Sequence, residues 1–380
     1  MKNLKIIGLS FGDPWDIRTW SNNPYYLFTV LKKKGVLIDS WGRNVSKNEF
    51  RLGKILSALR FKTLKKSELG NLAYRFVLAN KLNKEFAEYF RNKNYDTNSV
   101  ILSTSSFINF KNINRPVYLY GDMSFWDYYH EHPNGKKVVS EKIAKKIFVF
   151  EKEQLSRTKG IFTFSKWAQQ SIIKNYKIDN KKVHVVGHGY CLPEIEDFDK
   201  KKFEKPWLLF VSTNWFLKGG DAVLKAYRVI RKKYKNCELH IVGRMPNKLF
   251  NEKIDGIVYH GFLDKRNKND LNKMIYLYKS ASVFLLPSLY DPMPNVTLEA
   301  NYLKTPVIAS NVCGIPEQVI DKKTGFVIKE NDPLKYAAAI ENLLQNEKLR
   351  YAMGENGRKF VIENFSWKIV IENMTKNLLH

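Results

Sequence analysis

The sequence predicts an α/β protein of two domains, each a parallel sheet covered by helices on both faces. Three observations lead there. At 380 residues the chain can supply two domains of ordinary size, each with its own core. Its second half alternates short apolar runs with helical patterns, as parallel strands joined by helical crossovers require. A polar stretch from Cys191 to Lys205, with Pro193 and Pro206 near its ends, reads as a linker. The expected division is residues 1–190, a linker at 191–205, residues 206–364 and a closing helix over 365–380.

Composition narrows the function classes. A hydrophobic content of 44% fits a globular chain. No apolar run approaches the ~18 residues of a membrane span, and MKNLKIIGLSFGDPW reads as a first strand rather than a cleavable signal. The protein is therefore expected in the cytoplasm. Cys191, Cys237 and Cys313 form no C-x-x-C pair, so neither a zinc ribbon nor a redox dithiol is expected, and all three read as packing residues.

The net charge of +27 attracts nucleic acid, anionic membrane and phosphorylated substrates alike, so its distribution matters more than its size. Residues 43–93 hold thirteen Lys or Arg and four Glu around apolar residues at helical spacing, among them Phe50, Leu52, Ile55, Leu59 and Phe86. Such helices can lie on an anionic membrane as a peripheral attachment at its inner face. The same composition also describes a solvated lysine-rich surface. No nucleic-acid partner is expected, because the aromatics are scattered through strand and helix patterns and no nucleic-acid-binding motif occurs.

In the first half, Leu4–Phe11 is an apolar run delivered into the loop that carries Gly12, Asp13 and Pro14, and a helix follows from Tyr25 to Lys34, stopped by Gly35. Asn98–Ser103 and Pro116–Tyr120 read as further buried strands. Gly160–Phe164 is another, after which SKWAQQSIIKNY opens on a Ser N-cap. KVHVVGHG closes this half as a strand and turn. His184 and His188 lie across that turn and share no helical face, so no metal site is expected there.

The second half runs through Trp207–Ser212, Gly219–Tyr234, Glu238–Gly243, Gly256–Gly261, Asp270–Ser280, Val283–Leu286, Asn295–Leu303 and Pro306–Ser310 as alternating strands and helices. Its centre is LLPSLYDPMPNVTLEA, where an apolar strand stops at Pro287, a loop carries Asp291, Pro292 and Pro294, and a helix begins near Asn295. A helix N-terminus leaves backbone N–H groups without intrahelical partners and suits a phosphate. Asp291 ahead of the helix and Glu299 about one turn in can accept hydrogen bonds from hydroxyls on either side of it. A nucleotide sugar has that layout. Taken alone, the two acids are equally those of a turn and of an ordinary early-helix position.

With PVIAS, CGIPE and TGFVI following it, DPMPNVTLEA resembles the sugar-nucleotide site of the retaining family 4 glycosyltransferases of the GT-B fold. The signature of that family is Glu, seven residues, Glu. Here Asp291 stands at the first position, about one methylene shorter, and Glu299 at the second. The resemblance is strong over 160–365 and weaker over 1–159. It implies two Rossmann-like domains facing a central cleft, with NFSWKIVIENMTKNLL as a terminal helix crossing back to the first domain.

The resemblance also implies roles. FVSTNWFLKGG matches a strand that ends in a small residue plus Arg, with a diphosphate-gripping Lys five positions on. Ser212 and Lys218 fit, whereas Thr213 occupies the Arg position. Arg244 is the candidate substitute, or else a surface Arg. Met293, Pro294, Asn295, Val296 and Thr297 would line the donor, with amides of the last three and Lys218 stabilising the leaving diphosphate. Glu299 would hold ribose hydroxyls and Asp291 a sugar hydroxyl. Phe262 and Leu263 would lie against the base. YGDMSFWDYY places Asp122 either at the donor-sugar or acceptor side of the cleft, or as a cap of the helix near Ser124. A glycine pair common in the first loop is replaced by Ser21-Asn22-Asn23. Asp197-Phe198-Asp199, a metal-binding triplet in a different glycosyltransferase fold, sits in the charged linker and reads as surface.

The expected activity is retaining transfer of a sugar from a nucleotide-diphosphate sugar, with no metal and no other cofactor, to a glycan or lipid-linked acceptor in cell-surface polysaccharide or glycoconjugate synthesis. A nucleotide-sugar epimerase or phosphorylase on the same fold is the alternative, and a basic nucleic-acid-binding protein a more remote one.

Overall fold

Apolar runs too short for helices and buried on both faces become the strands of two parallel sheets. The computed structural model describes residues 4–49, 51–52, 81–91, 93–96, 98–111, 113–199, 205–250 and 254–378. The chain divides into two compact units, residues 1–189 with 367–380, and residues 190–366.

In the first unit, β1 (Ile6–Leu9), β2 (Leu37–Trp41), β3 (Val100–Ser103), β4 (Val117–Gly121), β5 (Gly160–Thr163) and β6 (Val183–Val185) form one sheet ordered β2-β1-β3-β4-β5-β6, with every neighbouring pair parallel. β1, β3 and β5 are buried throughout, as strands covered by helices on both faces must be. β2 lies at the edge and is only partly covered, and its LIDSW lacks the continuous apolar run that marks the others.

The C-terminal helix Trp367–Leu378 belongs to this unit. It buries Val370, Ile371, Met374 and Leu378 at helical spacing, and Trp367 stacks on Tyr26 of helix Asn23–Lys33 at 6.5 Å. That return is the one the family resemblance implies.

The second unit holds β7 (Trp207–Ser212), β8 (Glu238–Gly243), β9 (Ile257–Tyr259), β10 (Val283–Leu286), β11 (Val307–Ser310) and β12 (Gly325–Ile328), ordered β12-β11-β10-β7-β8-β9 and again parallel throughout. Helix Gly220–Lys233 buries Val223, Tyr227 and Ile230 on the sheet, sharing a core with Phe210, Ile241, Leu285 and Ile340. The polar stretch after Gly189 packs on this unit. The Ile195 N–H donates to the Tyr302 hydroxyl at 2.8 Å, Asp197 pairs with Lys304 and Arg358, and the Phe198 ring lies under the ammonium of Lys279 at 3.9 Å.

Of the stretch expected to meet a membrane, residues 50, 53–80 and 92 lie outside the described residues. In the remainder, Arg43 bridges Glu49 and Glu85, and Lys81 pairs with Glu49, so part of its positive charge is balanced. Among the described residues no helix is long and apolar enough to cross a membrane.

One buried and one half-buried histidine set a pH dependence. Burial drives His188, stacked on Phe164, down to about 3, and His260 down to about 4 with help from His240. Groups lowered in the folded state bind fewer protons there than in the unfolded chain. Their stability is therefore full above about pH 6.5 and is lost as the pH falls toward those values, by about 1.4 kcal/mol per pH unit for a single site. The melting midpoint should drop below about pH 6.5, and His188→Phe, which keeps a ring against Phe164, should flatten that limb. An unchanged limb would show that His188 is not held neutral.

Candidate active site

In an open parallel sheet the ligand crevice lies beyond the carboxyl ends of the strands where the chain order reverses. In the second unit β8 and β9 follow β7 outward on one side, and β10 begins the other side, so the reversal lies between β7 and β10. The loops leaving these two strands carry most of the predicted donor residues.

After β7 the chain makes a turn fixed by backbone bonds from Lys218 N–H to the Asn214 carbonyl at 3.0 Å and from Gly219 N–H to the Phe216 carbonyl at 3.1 Å. Gly219 sits at φ +75°, and a Cβ there would stand 1.9 Å from the Pro287 carbonyl oxygen, so only glycine lets this turn approach the end of β10. The Leu289 N–H donates to the Leu217 carbonyl at 2.8 Å and laces the two loops together. The result is an ion pair between Lys218 Nζ and Asp291 Oδ2, residues 73 apart in sequence. Asp291 is 8% exposed, and the Lys218 side chain is 23% exposed.

Helix Asn295–Tyr302 starts directly beyond, with Pro294 at its N-cap and no side-chain cap. Its first turn keeps the N–H groups that can face an anion. The Thr297 hydroxyl is turned inward, donating to the Pro294 carbonyl at 2.7 Å and lying 2.6 Å from Gln318 Oε1. Met293 is buried, and Gly314 packs so tightly on it that a Cβ would meet its Sδ at 2.5 Å.

Glu299, one turn in, is wholly buried. Its Oε1 is ion-paired with Lys265 Nζ, and its Oε2 accepts from the Tyr278 hydroxyl at 3.3 Å. Burial raises its carboxyl above the usual range while Lys265 opposes that rise, and Tyr278 is pushed well up by its own burial and the adjacent carboxylate. Sequence reasoning identified Glu299 but neither partner. Both come from elements that only the fold brings to it.

Ser212 is buried at the end of β7, and its carbonyl accepts the Arg244 N–H at 2.8 Å. Arg244 and Thr213 are exposed. Gly243, at φ +110°, donates to the Gly261 carbonyl at 2.7 Å, which anchors the loop holding Phe262, 59% exposed, and Leu263, 8% exposed.

Asp122 lies in the other unit, on the loop after β4. The helix Phe125–Glu131 that follows is capped by Ser124 with Asp127 in a reciprocal capping box, so Asp122 is not the cap. Asp122 instead lines a pocket at the carboxyl ends of β1, β3 and β4, together with Ser10, Trp20, Ser106, Tyr128 and Glu151. Glu151, 3% exposed, accepts from Ser106 Oγ at 2.8 Å, from the Phe125 N–H at 2.9 Å and from the Tyr176 hydroxyl, and burial raises its carboxyl. It lies on the lysine-rich helix Glu141–Arg157, where nothing in the local pattern distinguishes it from a surface acid.

The loop beside this pocket keeps a left-handed backbone without glycine, with φ of 39° at Trp20, 54° at Ser21 and 74° at Asn22. Each costs on the order of 1–2 kcal/mol and is held by its surroundings, such as the Trp20 ring lying 5.2 Å from that of Phe164.

Residues 193–360 match the model of the family described as Glycosyl transferases group 1. Over 243 residues the chain is 27% identical to the capsular polysaccharide biosynthesis glycosyltransferase CapM of Staphylococcus aureus, a match covering 60% of this chain and 63% of that one. The chain thus spans less than two thirds of that relative. Among solved structures, sucrose-phosphate synthase from Thermosynechococcus elongatus superposes with a TM-score of 0.70 at 19% identity over 98% of both chains. Anabaena HepE in complex with UDP-glucose superposes with a TM-score of 0.63 at 12% identity, over 98% of this chain and 99% of that one. At such identities the structural likeness is one of fold, the GT-B fold, and over residues 193–360 the chain is similar to the glycosyl transferases group 1.

Proposed function

We propose that the protein is a glycosyltransferase that moves a sugar from a nucleotide-diphosphate sugar to a glycan or lipid-linked acceptor, with retention of anomeric configuration, in making a cell-surface polysaccharide or glycoconjugate. The observation that carries this reading is the meeting of Lys218 and Asp291, from loops after two different strands, beside the uncapped start of helix Asn295–Tyr302 at the reversal of the second sheet. A cation and the amides of a helix's first turn at one point suit a diphosphate, and the adjoining acids suit hydroxyls.

As the anomeric bond breaks, negative charge grows on the departing diphosphate. Lys218 and the amides of Asn295, Val296 and Thr297 would stabilise that charge, already in place before reaction. No metal is required for such a step, and none is proposed. Asp291, tied to Lys218 in the free protein, would hold a sugar hydroxyl once Lys218 turns to phosphate. The pocket containing Asp122, Trp20 and Tyr128 would receive the acceptor, since it combines aromatic faces with hydroxyl and carboxylate partners. The basic stretch 43–93 would bring the enzyme to an anionic membrane where a lipid-linked acceptor resides.

The test is release of free nucleoside diphosphate from a panel of nucleotide sugars, with and without acceptor glycans. Acceptor-dependent release, unchanged by excess chelator and giving a product with the donor's anomeric configuration, is expected. Release or isomerisation without acceptor would indicate an epimerase or phosphorylase, and loss of activity in chelator would overturn the proposed leaving-group stabilisation.

A further inference from the structure

Glu299 has no exposed surface, yet the proposed function needs its carboxylate charged and within reach of a ribose. The titratable groups facing it are Lys265 from the loop after β9, Tyr278 from helix Lys268–Ser280 and the thiol of Cys191. Helix Glu347–Phe365 packs against its own helix, but Arg358 there is turned to the carbonyls of Tyr302 at 2.8 Å and Ile195 at 2.7 Å. Tyr278 and Cys191 are wholly buried, whereas the Lys265 side chain is 17% exposed, so of these three Lys265 alone reaches the surface.

We infer that Lys265 is a positioning residue for the donor nucleotide, the cation that keeps the Glu299 carboxylate ionised and aimed so that it accepts the ribose hydroxyls. This rests on the ribose role given to Glu299 above. A carboxylate enclosed in protein without a counter-charge takes up a proton instead. As an acid it has lost acceptor capacity and no longer suits two hydroxyl donors. Lys265 prevents this, and it makes the pair neutral, so a diphosphate entering nearby meets no uncompensated buried anion. It also sits two residues beyond Leu263, so the segment proposed to lie along the base carries the residue that conditions the ribose contact.

The sign of the pH effect follows. Burial already raises the Glu299 carboxyl and Lys265 holds that rise down. Without Lys265 the carboxyl rises further, so it holds its proton more firmly at the lower pH and regains its charge as the pH climbs.

The experiment is calorimetric titration with whichever of UDP, ADP and GDP binds most tightly, and with its 2′,3′-dideoxy form, at about pH 6.5 and about pH 8.5. Wild type should prefer the ribonucleotide about a hundredfold at both pH values, two charge-assisted hydrogen bonds' worth. Lys265→Met should lose most of that preference at the lower pH and recover it at the higher, with binding of the dideoxy form unchanged at the lower pH, where the site is neutral with or without Lys265, and weakened at the higher, where Glu299 is charged without its cation. Lys265→Gln should behave like Lys265→Met and Lys265→Arg like wild type, a contrast that stands if the methionine variant does not fold. A wild type blind to the ribose hydroxyls would overturn the Glu299 assignment and this inference with it. A discriminating wild type whose Lys265→Met and Lys265→Gln variants discriminate equally well at both pH values, or bind both nucleotides equally weakly, would overturn the role of Lys265 alone.

Discussion

Replacing Glu299 with glutamine is expected to slow sugar transfer by two to three orders of magnitude while the protein remains folded. Glutamine matches the shape of glutamate but removes the charge and one of two acceptor oxygens. Hydrogen bonds to a charged group contribute about 1.5–3 kcal/mol each, so losing the charged character of two ribose contacts costs on the order of 3–4 kcal/mol, or a few hundredfold to about a thousandfold. The fold should tolerate the exchange, because glutamine can still accept from Tyr278 and because Lys265, partly exposed, regains hydration when its counter-ion is gone. Initial rates of nucleoside diphosphate release, measured beside circular dichroism and thermal melting, separate the two effects. Wild-type rates in a folded Glu299→Gln protein would remove the acid from the site.

Lys218→Ala should weaken binding of a nucleoside diphosphate by about 10- to 100-fold and of the bare nucleoside by less than about threefold. The ammonium can reach the phosphates only by leaving Asp291, which holds it in the free protein. Its removal strips a charge-assisted contact that the nucleoside never makes. It also leaves Asp291, 8% exposed, without its cation close to an incoming polyanion, and this repulsion acts in the same direction. Titrations with the diphosphate, the monophosphate and the nucleoside give the ladder directly. Equal losses for all three would place Lys218 away from the phosphates and its ion pair among purely structural contacts.

Much of the second unit could be read before any coordinates. β7, β8, β10 and β11 are enclosed between helix layers, and a strand buried on both faces is apolar along most of its length, which a short run such as VFLL states openly. The strand-to-loop-to-helix transition at Pro287–Asn295 was legible for a related reason, since proline and the onset of helical spacing are local signals. β2 was not legible, because an edge strand with half-covered residues carries no such run. Nor were the supports of the functional acids. Lys265 and Tyr278 stand 34 and 21 residues from Glu299, and Tyr176 stands 25 from Glu151, separations at which no periodicity operates.

By itself, then, the sequence determined which segments become strands and helices, that they alternate into parallel sheets, and where a backbone turn could meet an anion, because each of these depends on neighbours within a few residues. Only the tertiary structure decided the state of the acids: that Asp291 lies against Lys218, that Glu299 is sealed beneath Lys265 and Tyr278, and that Glu151 is an interior carboxylate rather than a surface one. Charge and burial at a site are sums over everything packed around it, and in a sheet whose chain order reverses between β7 and β10 those surroundings are assembled from loops far apart in sequence.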